Sequence, residues 1–125
     1  MTQKRPQVLS GKTIKTKTNC GALYITLNNE KDELYETRFV LGKAGTCQNA
    51  MLNTLGVLFS ILIQRGVDKD KLVRTLKKHF KGINCGTLFM YDGKRYQSCL
   101  DLIGVSIADE LEQTKEQNEP EKRTP

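Results

Sequence analysis

Histidine is almost absent from this sequence, and so are the motifs that mark catalytic centres. The one histidine, His79, falls near the end of a predicted helix, where a protonated imidazole suits the helix dipole. The glycine-rich stretch GKAG at residues 42–45 lacks the GxxxxGK[ST] order of a phosphate-binding P-loop. We therefore expect a protein that is not an enzyme.

Long apolar runs are also missing. The longest one, LGVLFSILI at residues 55–63, falls far short of the roughly 20 residues that span a bilayer. The basic start MTQKRPQ is not followed by the apolar segment of a signal peptide. We therefore expect a cytoplasmic protein without membrane contact, in which disulfide bonds are uncommon.

Acidic residues are missing from the first part of the chain. Residues 1–19 hold five lysines and arginines and no acid, although the formal net charge of the whole chain is only +6. The last residues, EQTKEQNEPEKRTP, combine proline, glutamine and charge without aromatics, so they cannot bury enough apolar surface to offset their ordering entropy. We predict a basic flexible N-terminus over residues 1–10, one domain over 11–112, and a disordered charged tail over 113–125.

Three segments near the start of the domain alternate β-branched or aromatic residues with polar ones. They are KTIKTKT at 12–18, ALYITLNN at 22–29 and LYETRFVLGK at 34–43, and the turn NNEKDE joins the last two. This pattern predicts three antiparallel strands. LFMYDGKRYQ at 88–97 has a DG turn between aromatic-rich arms, which indicates a hairpin, with an irregular loop as the alternative.

The longest helix has recognisable ends. Thr46 can cap it, and it runs to about Arg65, where Gly66 supplies a left-handed stop. From Leu55 to Ile63 the segment is apolar on nearly every side, so we predict that this helix is central to the core.

Two further helices follow. Asp68 caps the second, which ends at Gly82. Ser98 opens the third, and Asp101 stands three residues later at the spacing of a capping box, with Asp in place of the preferred Glu. The predicted fold class is α+β, a small antiparallel sheet of about three strands packed against three helices in a single compact domain.

The four cysteines fall into two kinds of local setting. Cys20 and Cys85 each stand in an NCG tripeptide, while Cys47 and Cys99 follow a Thr or Ser at a predicted helix start. A following glycine permits a tight turn whose amides point at a sulfur, and a helix N-terminus favours a thiolate. Both settings suit a metal-bound sulfur. No CxxC pair supports this interpretation, so a four-cysteine zinc site and ordinary buried cysteines both remain open.

Several stretches resemble one known family, the TSCPD domain. They are CGALYITLNN, YETRFVLGKAGTC, LGVLFSILIQRGVDKDKLVRTLKKHFKGINC and QSCLDLIGVSIADEL, and the resemblance covers residues 11–112. This domain occurs at the C-terminus of vitamin B12-dependent ribonucleotide reductases and as short stand-alone proteins. SCLD at 98–101 matches the SCPD part of the family's motif, with Leu100 in place of proline.

The resemblance implies a structural metal, which we expect to be zinc, bound by Cys20, Cys47, Cys85 and Cys99. It also limits the function, because the reductases' catalytic barrel, radical-generating cysteine and cobalamin site have no counterpart in 125 residues. We therefore expect that the chain does not reduce ribonucleotides itself, and that any link to that reaction would be as an accessory part.

Two classes of function remain open. The first is a protein-interaction module, such as an adaptor or a small inhibitor, with a protein partner. The alternative is an accessory module, associated with a ribonucleotide reductase, that binds nucleotide or nucleic acid. In neither class does the sequence predict the oligomeric state.

The second class, which binds nucleotide or nucleic acid, can be tied to candidate residues. A nucleotide phosphate could bind at the GKAG loop, through Lys43, Gly45 and Thr46, although these glycines could equally only shape the turn. A basic stripe for nucleic acid would use four residues of the second helix and its end, Arg74, Lys77, Lys78 and Lys81, together with the N-terminal lysines. A solvated helix face explains the same residues. The aromatic candidates for stacking on bases are Phe89, Tyr91 and Tyr96.

Overall fold

The computed structural model describes residues 5–18, 20–42, 45–84 and 88–117. Three antiparallel strands, β1 (Ser10–Thr18), β2 (Gly21–Glu30) and β3 (Glu33–Leu41), form one sheet in that order. A separate hairpin consists of β4 (Phe89–Tyr91) and β5 (Lys94–Tyr96). The helices are α1 (Cys47–Gln64), α2 (Lys69–His79) and α3 (Cys99–Gln117). The α+β fold class is confirmed.

Two tight turns join the antiparallel strands. Lys31 and Asp32, with φ of 52° and 67°, connect β2 to β3, and Asp92 and Gly93, with φ of 54° and 77°, connect β4 to β5. Two consecutive residues with positive φ are typical of the hairpin turn whose twist matches that of the flanking strands. The DG turn therefore forms a hairpin, as the first of the two predictions for that segment proposed.

The hydrophobic core lies on one face of the three-stranded sheet. Alternate residues of β2 are buried there, as are Phe39 and Leu41 of β3. Helix α3 packs on β2 and β3 and contributes Ile103, Ile107 and Leu111, while α2 packs on α3. The side chains on the opposite face of the sheet are half-buried or exposed.

Helix α1 lies along β3, at the edge of the sheet, and is not enclosed by the core. Its buried residues lie on the side facing β3: Leu52, Gly56, Phe59 and Ile63. Its exposed large apolar residues lie on the outer side: Met51, Val57, Leu58, Ile61 and Leu62. The prediction that α1 would be central to the core is therefore wrong, because this helix covers a strand edge and no described element packs on its outer side.

The contact between α1 and β3 is close and partly polar. An ideal Cβ on Gly56 would lie 3.2 Å from the Cα of Arg38, so glycine allows the helix to touch the strand backbone. Asn49 Oδ1 accepts a hydrogen bond from the N–H of Leu41 at 2.9 Å, and Gln64 Nε2 donates to the carbonyl of Tyr35 at 3.1 Å. Polar side chains at both ends of α1 are thus bonded to the strand backbone.

The predicted helix caps are present. Thr46 caps α1 and Asp68 caps α2, where its carboxylate accepts hydrogen bonds from the amides of Asp70 and Lys71. Gly66, with φ of 85°, follows α1 as predicted.

Residues 1–4 and 118–125, which belong to the predicted N-terminus and tail, lie outside the described residues. Among the helices that the structure describes, none combines the length and the apolar character needed to cross a membrane.

Candidate metal site and docking surface

Two of the four cysteines are connected through one threonine. Cys20 lies in the turn between β1 and β2, and Cys99 is the first residue of α3. The hydroxyl of Thr18 accepts a hydrogen bond from the N–H of Cys20 at 3.0 Å and donates one to the carbonyl of Gly21 at 2.8 Å. The sulfur of Cys99 lies 3.7 Å from the same hydroxyl oxygen. The β1–β2 turn and the start of α3 therefore meet at Thr18.

Cys47, the first residue of α1, lies at the same end of the sheet. The bond from Leu41 to Asn49 fixes the first turn of α1 at the end of β3. The residue after β3, Gly42, donates its N–H to the carbonyl of Ala22 at 2.7 Å, next to the turn that holds Cys20. Three of the four cysteine-bearing segments thus gather at one end of the sheet.

Cys85 lies outside the described residues, but the chain before it is attached to α3. Asp101, a buried residue in the first turn of α3, accepts hydrogen bonds from the amides of Gly82 and Gln97, each at 3.0 Å. Its own N–H donates to Ser98 Oγ at 3.0 Å, which is half of the predicted capping box. The carboxylate instead ties the segment that leads to Cys85 to the start of α3, a role that the spacing alone did not indicate.

The described residues do not contain a formed metal site. Cys20 and Cys47 are exposed and Cys99 is half-buried. No group of three or more His, Cys, Asp or Glu side chains in the described ranges is placed to hold a metal ion, and Cys85 lies outside them. The donor set would nevertheless suit zinc, because thiolates are its preferred ligands in closed structural sites. The backbone brings the segments together, and the ligand set stays a prediction.

The GKAG loop has a local structural explanation. Gly42 and Gly45 have φ of 56° and 89°, values that favour glycine. Thr46 Oγ1 accepts the N–H of Asn49 at 3.2 Å, as its predicted role of N-cap requires. Lys43 lies outside the described residues. The two glycines therefore shape the turn between β3 and α1 whether or not a phosphate binds there.

The predicted basic residues of α2 and its end are exposed, and two of them, Lys77 and Lys81, have acidic neighbours. Lys77 Nζ lies 3.1 Å from the carboxylate of Glu112 on α3, and Asp109 lines the same groove between the two helices. Helix α2 lies on the core side of the sheet, so these cations do not form one surface with Lys15 and Lys17 of β1, which face the other side. The predicted basic stripe therefore does not continue from α2 to Lys15 and Lys17.

Of the predicted stacking residues, Tyr96 belongs to the core. It is 7% exposed, and its ring stacks on that of Phe89 with a centroid distance of 5.9 Å. Burial raises the pKa of Tyr96, and the nearby carboxylates of Asp109 and Asp101 add to the shift. Tyr91 is half-buried. These rings hold the β4–β5 hairpin against the rest of the domain.

The outer side of α1 is the surface that the sequence interpretation missed. Helix α1 contains no charged residue in CQNAMLNTLGVLFSILIQ, and five large side chains on its outer side are exposed. We call these five residues the apolar face of α1: Met51, Val57, Leu58, Ile61 and Leu62. Met51 is 69% exposed and Leu58 53%. The absence of charge over 18 residues was the signal in the sequence that could have revealed it.

The chain belongs to the TSCPD domain family, whose profile matches residues 1–113. Searches of curated proteins and of solved structures gave no match to this chain.

Proposed function

We propose that this chain is a non-catalytic, zinc-stabilised binding module of the cytoplasm that acts as a protein-interaction, adaptor or inhibitor protein. The observation that carries this proposal is the apolar face of α1. Contiguous exposed apolar surfaces of this kind mark interaction sites, whereas single exposed apolar residues are normal. Since α1 already covers the edge of β3 with its other side, its outer side has no structural role within the described domain.

Burial of the apolar face would contribute to docking but would not drive it alone. Full burial of one large aliphatic side chain is worth roughly 1.5–3 kcal/mol, so covering five half-exposed ones would contribute on the order of 5 kcal/mol. Association costs about 4–15 kcal/mol in lost freedom of motion. The face therefore needs a partner that adds apolar surface and contacts of its own.

The chemistry of the face also defines the partner. Because α1 carries no charge, a charged group of the partner would lose its hydration without gaining a counter-ion. We therefore propose a protein that presents an uncharged apolar helix or groove. A helix laid into such a groove is a common mode of recognition, with anchors three, four and seven residues apart. Met51 and Leu58, and likewise Leu58 and Ile61, have this spacing.

The proposed zinc would act on the fold and not on a substrate. Cys20, Cys47, Cys85 and Cys99 would hold it, and a closed site of four thiolates supplies stability without activating water. Its support is the gathering of three of the four cysteine-bearing segments at the end of the sheet where α1 begins. A metal at this place would also fix the start of α1 and hence the orientation of the apolar face.

The test uses two substitutions that each add one positive charge. Leu58→Lys lies in the apolar face, and Thr75→Lys lies on the exposed side of α2. Proteins retained by the wild-type chain from source-cell lysate would be compared with and without nuclease treatment. Those retained after nuclease treatment would be purified and their affinity for each variant measured. We expect Leu58→Lys to weaken binding of the purified partner at least tenfold and Thr75→Lys less than twofold.

Three outcomes contradict the proposal: no protein is retained, Leu58→Lys binds as well as the wild type, or retention requires nucleic acid. If the wild-type chain instead self-associates and Leu58→Lys abolishes this, the occupant of the face is a second copy. Sedimentation equilibrium of the three purified proteins separates that case.

A further inference from the structure

The face of the sheet that points away from the helices carries a basic surface with an aromatic centre. We call it the open face and define it by seven side chains: Thr13, Lys15, Lys17, Tyr24, Thr26, Arg38 and Val40. Their common orientation follows from the burial of alternate residues of β2 on the other face. Two contacts agree with it, since the hydroxyls of Thr13 and Thr26 are 3.1 Å apart and Lys15 Nζ lies 5.6 Å from the centre of the Tyr24 ring.

Strand pairing places the cations on both sides of the aromatic ring. Lys15 pairs with Tyr24, and Thr13 with Thr26, which pairs in turn with Arg38 on the far strand. Neighbouring strands are about 4.8 Å apart, so cations on the outer strands are separated by roughly 10 Å. An aromatic ring with cations on both sides at this spacing suits the successive phosphates of a nucleic acid strand better than it suits one small anion.

The cations of the open face are available to a ligand. Lys15, Lys17 and Arg38 are exposed, and none of them forms an ion pair with another residue of the described ranges. The carboxylate beside Arg38, Glu36, is neutralised by Arg5, whose guanidinium donates two hydrogen bonds to it at 2.8 and 2.9 Å. In this respect the open face differs from α2, where Lys77 is paired with an acid.

We propose that the open face binds single-stranded nucleic acid, with phosphates held by Lys15, Lys17 and Arg38 and a base stacked on Tyr24. A single strand is favoured over a duplex because its unstacked bases can reach an aromatic ring in the middle of a flat sheet. The hydroxyls of Thr13 and Thr26 can bond to sugar or phosphate oxygens. The flexible stem of Lys15 lets its ammonium move from the ring to a phosphate.

The open face adjoins the apolar face of α1 at the edge of the sheet, where Arg38 lines one pocket together with Val57 and Ile61. A protein that covers Val57 and Ile61 would therefore lie next to Arg38, whereas Lys15 and Lys17 are on β1, the other outer strand of the sheet. The inference does not depend on the proposed protein interaction and goes beyond it.

The test compares two double variants of the full chain that make the same change in charge. Lys15→Glu plus Lys17→Glu alters the open face, and Lys77→Glu plus Lys78→Glu alters α2. Fluorescence anisotropy with labelled oligonucleotides of about 15 nucleotides, as DNA, RNA and duplex DNA, would measure affinity over a range of salt. For the wild type we expect log K to fall with log salt with a slope of about −2, from three phosphate contacts to a single strand.

We expect the open-face variant to bind single strands at least tenfold more weakly than the wild type, and the α2 variant to bind within about threefold of it. Tyr24→Leu should cost about fivefold or more, while Tyr24→Phe retains the affinity because phenylalanine keeps an aromatic ring. Equal losses in the two double variants would show a general attraction to a basic chain and overturn the proposal. Two other results would also overturn the proposal. One is that the wild type binds duplex DNA more tightly than single strands, and the other is that a folded wild type, shown by cooperative melting, binds no nucleic acid at low salt.

Discussion

The hydroxyl of Ser60 on α1 is bonded to the backbone of Thr37 on the edge strand β3. Ser60 Oγ accepts the N–H of Thr37 at 2.9 Å and lies 3.1 Å from the carbonyl oxygen of the same residue. A strand edge presents unpaired backbone groups that can template aggregation, and here a helix side chain takes the position of a further strand. The same side of α1 bonds the backbone of Leu41 and Tyr35.

Ser60→Ala should therefore lower the stability of the domain. The substitution leaves the N–H of Thr37 without this partner at a part-buried position, and an unsatisfied backbone group costs about 1–3 kcal/mol. Urea unfolding followed by circular dichroism measures the difference. Thr54→Ala, on the exposed side of the same helix, is the control and should change the free energy of unfolding by less than about 0.5 kcal/mol. Equal urea midpoints for Ser60→Ala and the wild type would mean that this hydrogen bond makes no net contribution to the free energy of unfolding.

Local features of the fold could be predicted from the sequence because their causes are local. Thr46 and Asp68 cap helices through bonds to residues two or three positions away, and Asp92 and Gly93 form a turn between adjacent strands. The place of α1 could not be predicted in the same way. Apolar residues on both sides of a helix are typical of an enclosed helix, but they also fit a helix that covers an edge and docks a partner.

The candidate metal site, too, could be predicted from the sequence only in its local features. The settings of Cys20 and Cys47, in a glycine turn and at a helix start, follow from neighbouring residues. Their place at one end of the sheet depends on how β3 and α1 pack, and the contact of Cys99 with Thr18 joins residues 81 positions apart. The open face was missed for a related reason, since only strand pairing brings Arg38 near the cations of β1.

The ion pair between Arg5 and Glu36 should make stability depend on acid pH. Hydrogen bonds from Arg5, and then one from Asn28, lower the pKa of Glu36 below its ordinary value of 4.5. This contribution to stability is fully present above pH 4.5 and is lost as the pH falls through the lower pKa of the folded state. NMR titration of the Glu36 carboxyl would measure its pKa.

Arg5→Gln should raise the pKa of Glu36 towards 4.5, since it removes the largest cause of the shift. Arg74→Gln removes an exposed cation from α2 and should leave the pKa of Glu36 unchanged. If both variants titrate like the wild type, Arg5 is not bonded to Glu36 in solution.

The GKAG loop should not bind nucleotides. Gly42 and Gly45 are explained by their positive φ, and the hydroxyl of Thr46 already bonds an amide in the first turn of α1. We therefore expect ATP, dATP and other nucleotides at millimolar concentration to leave the melting temperature unchanged. A rise in melting temperature that Lys43→Ala abolishes would contradict this expectation and make the loop an anion site at a helix N-terminus.

The cysteines should bind close to one zinc ion per chain, and the metal should contribute directly to folding. Four thiolates around Zn²⁺ leave a net charge of −2, which turn amides and the N-termini of α1 and α3 can offset. Because the ligands would join the β1–β2 turn to both helix starts, removing the metal should loosen the end of the sheet that Thr18 now holds together. Elemental analysis of the purified protein and its melting temperature with a strong chelator measure both effects.

Single Cys→Ser variants at positions 20, 47, 85 and 99 separate a shared site from four independent cysteines. Each should lower both the zinc content and the melting temperature, because loss of one thiolate opens a closed site. Cys47 is the most informative, since it is exposed, and serine there would have little effect on stability without a metal. His79→Gln is the control and should retain the zinc. Folded protein that contains no metal, with four thiols that react with a thiol reagent, would return the cysteines to an ordinary structural role.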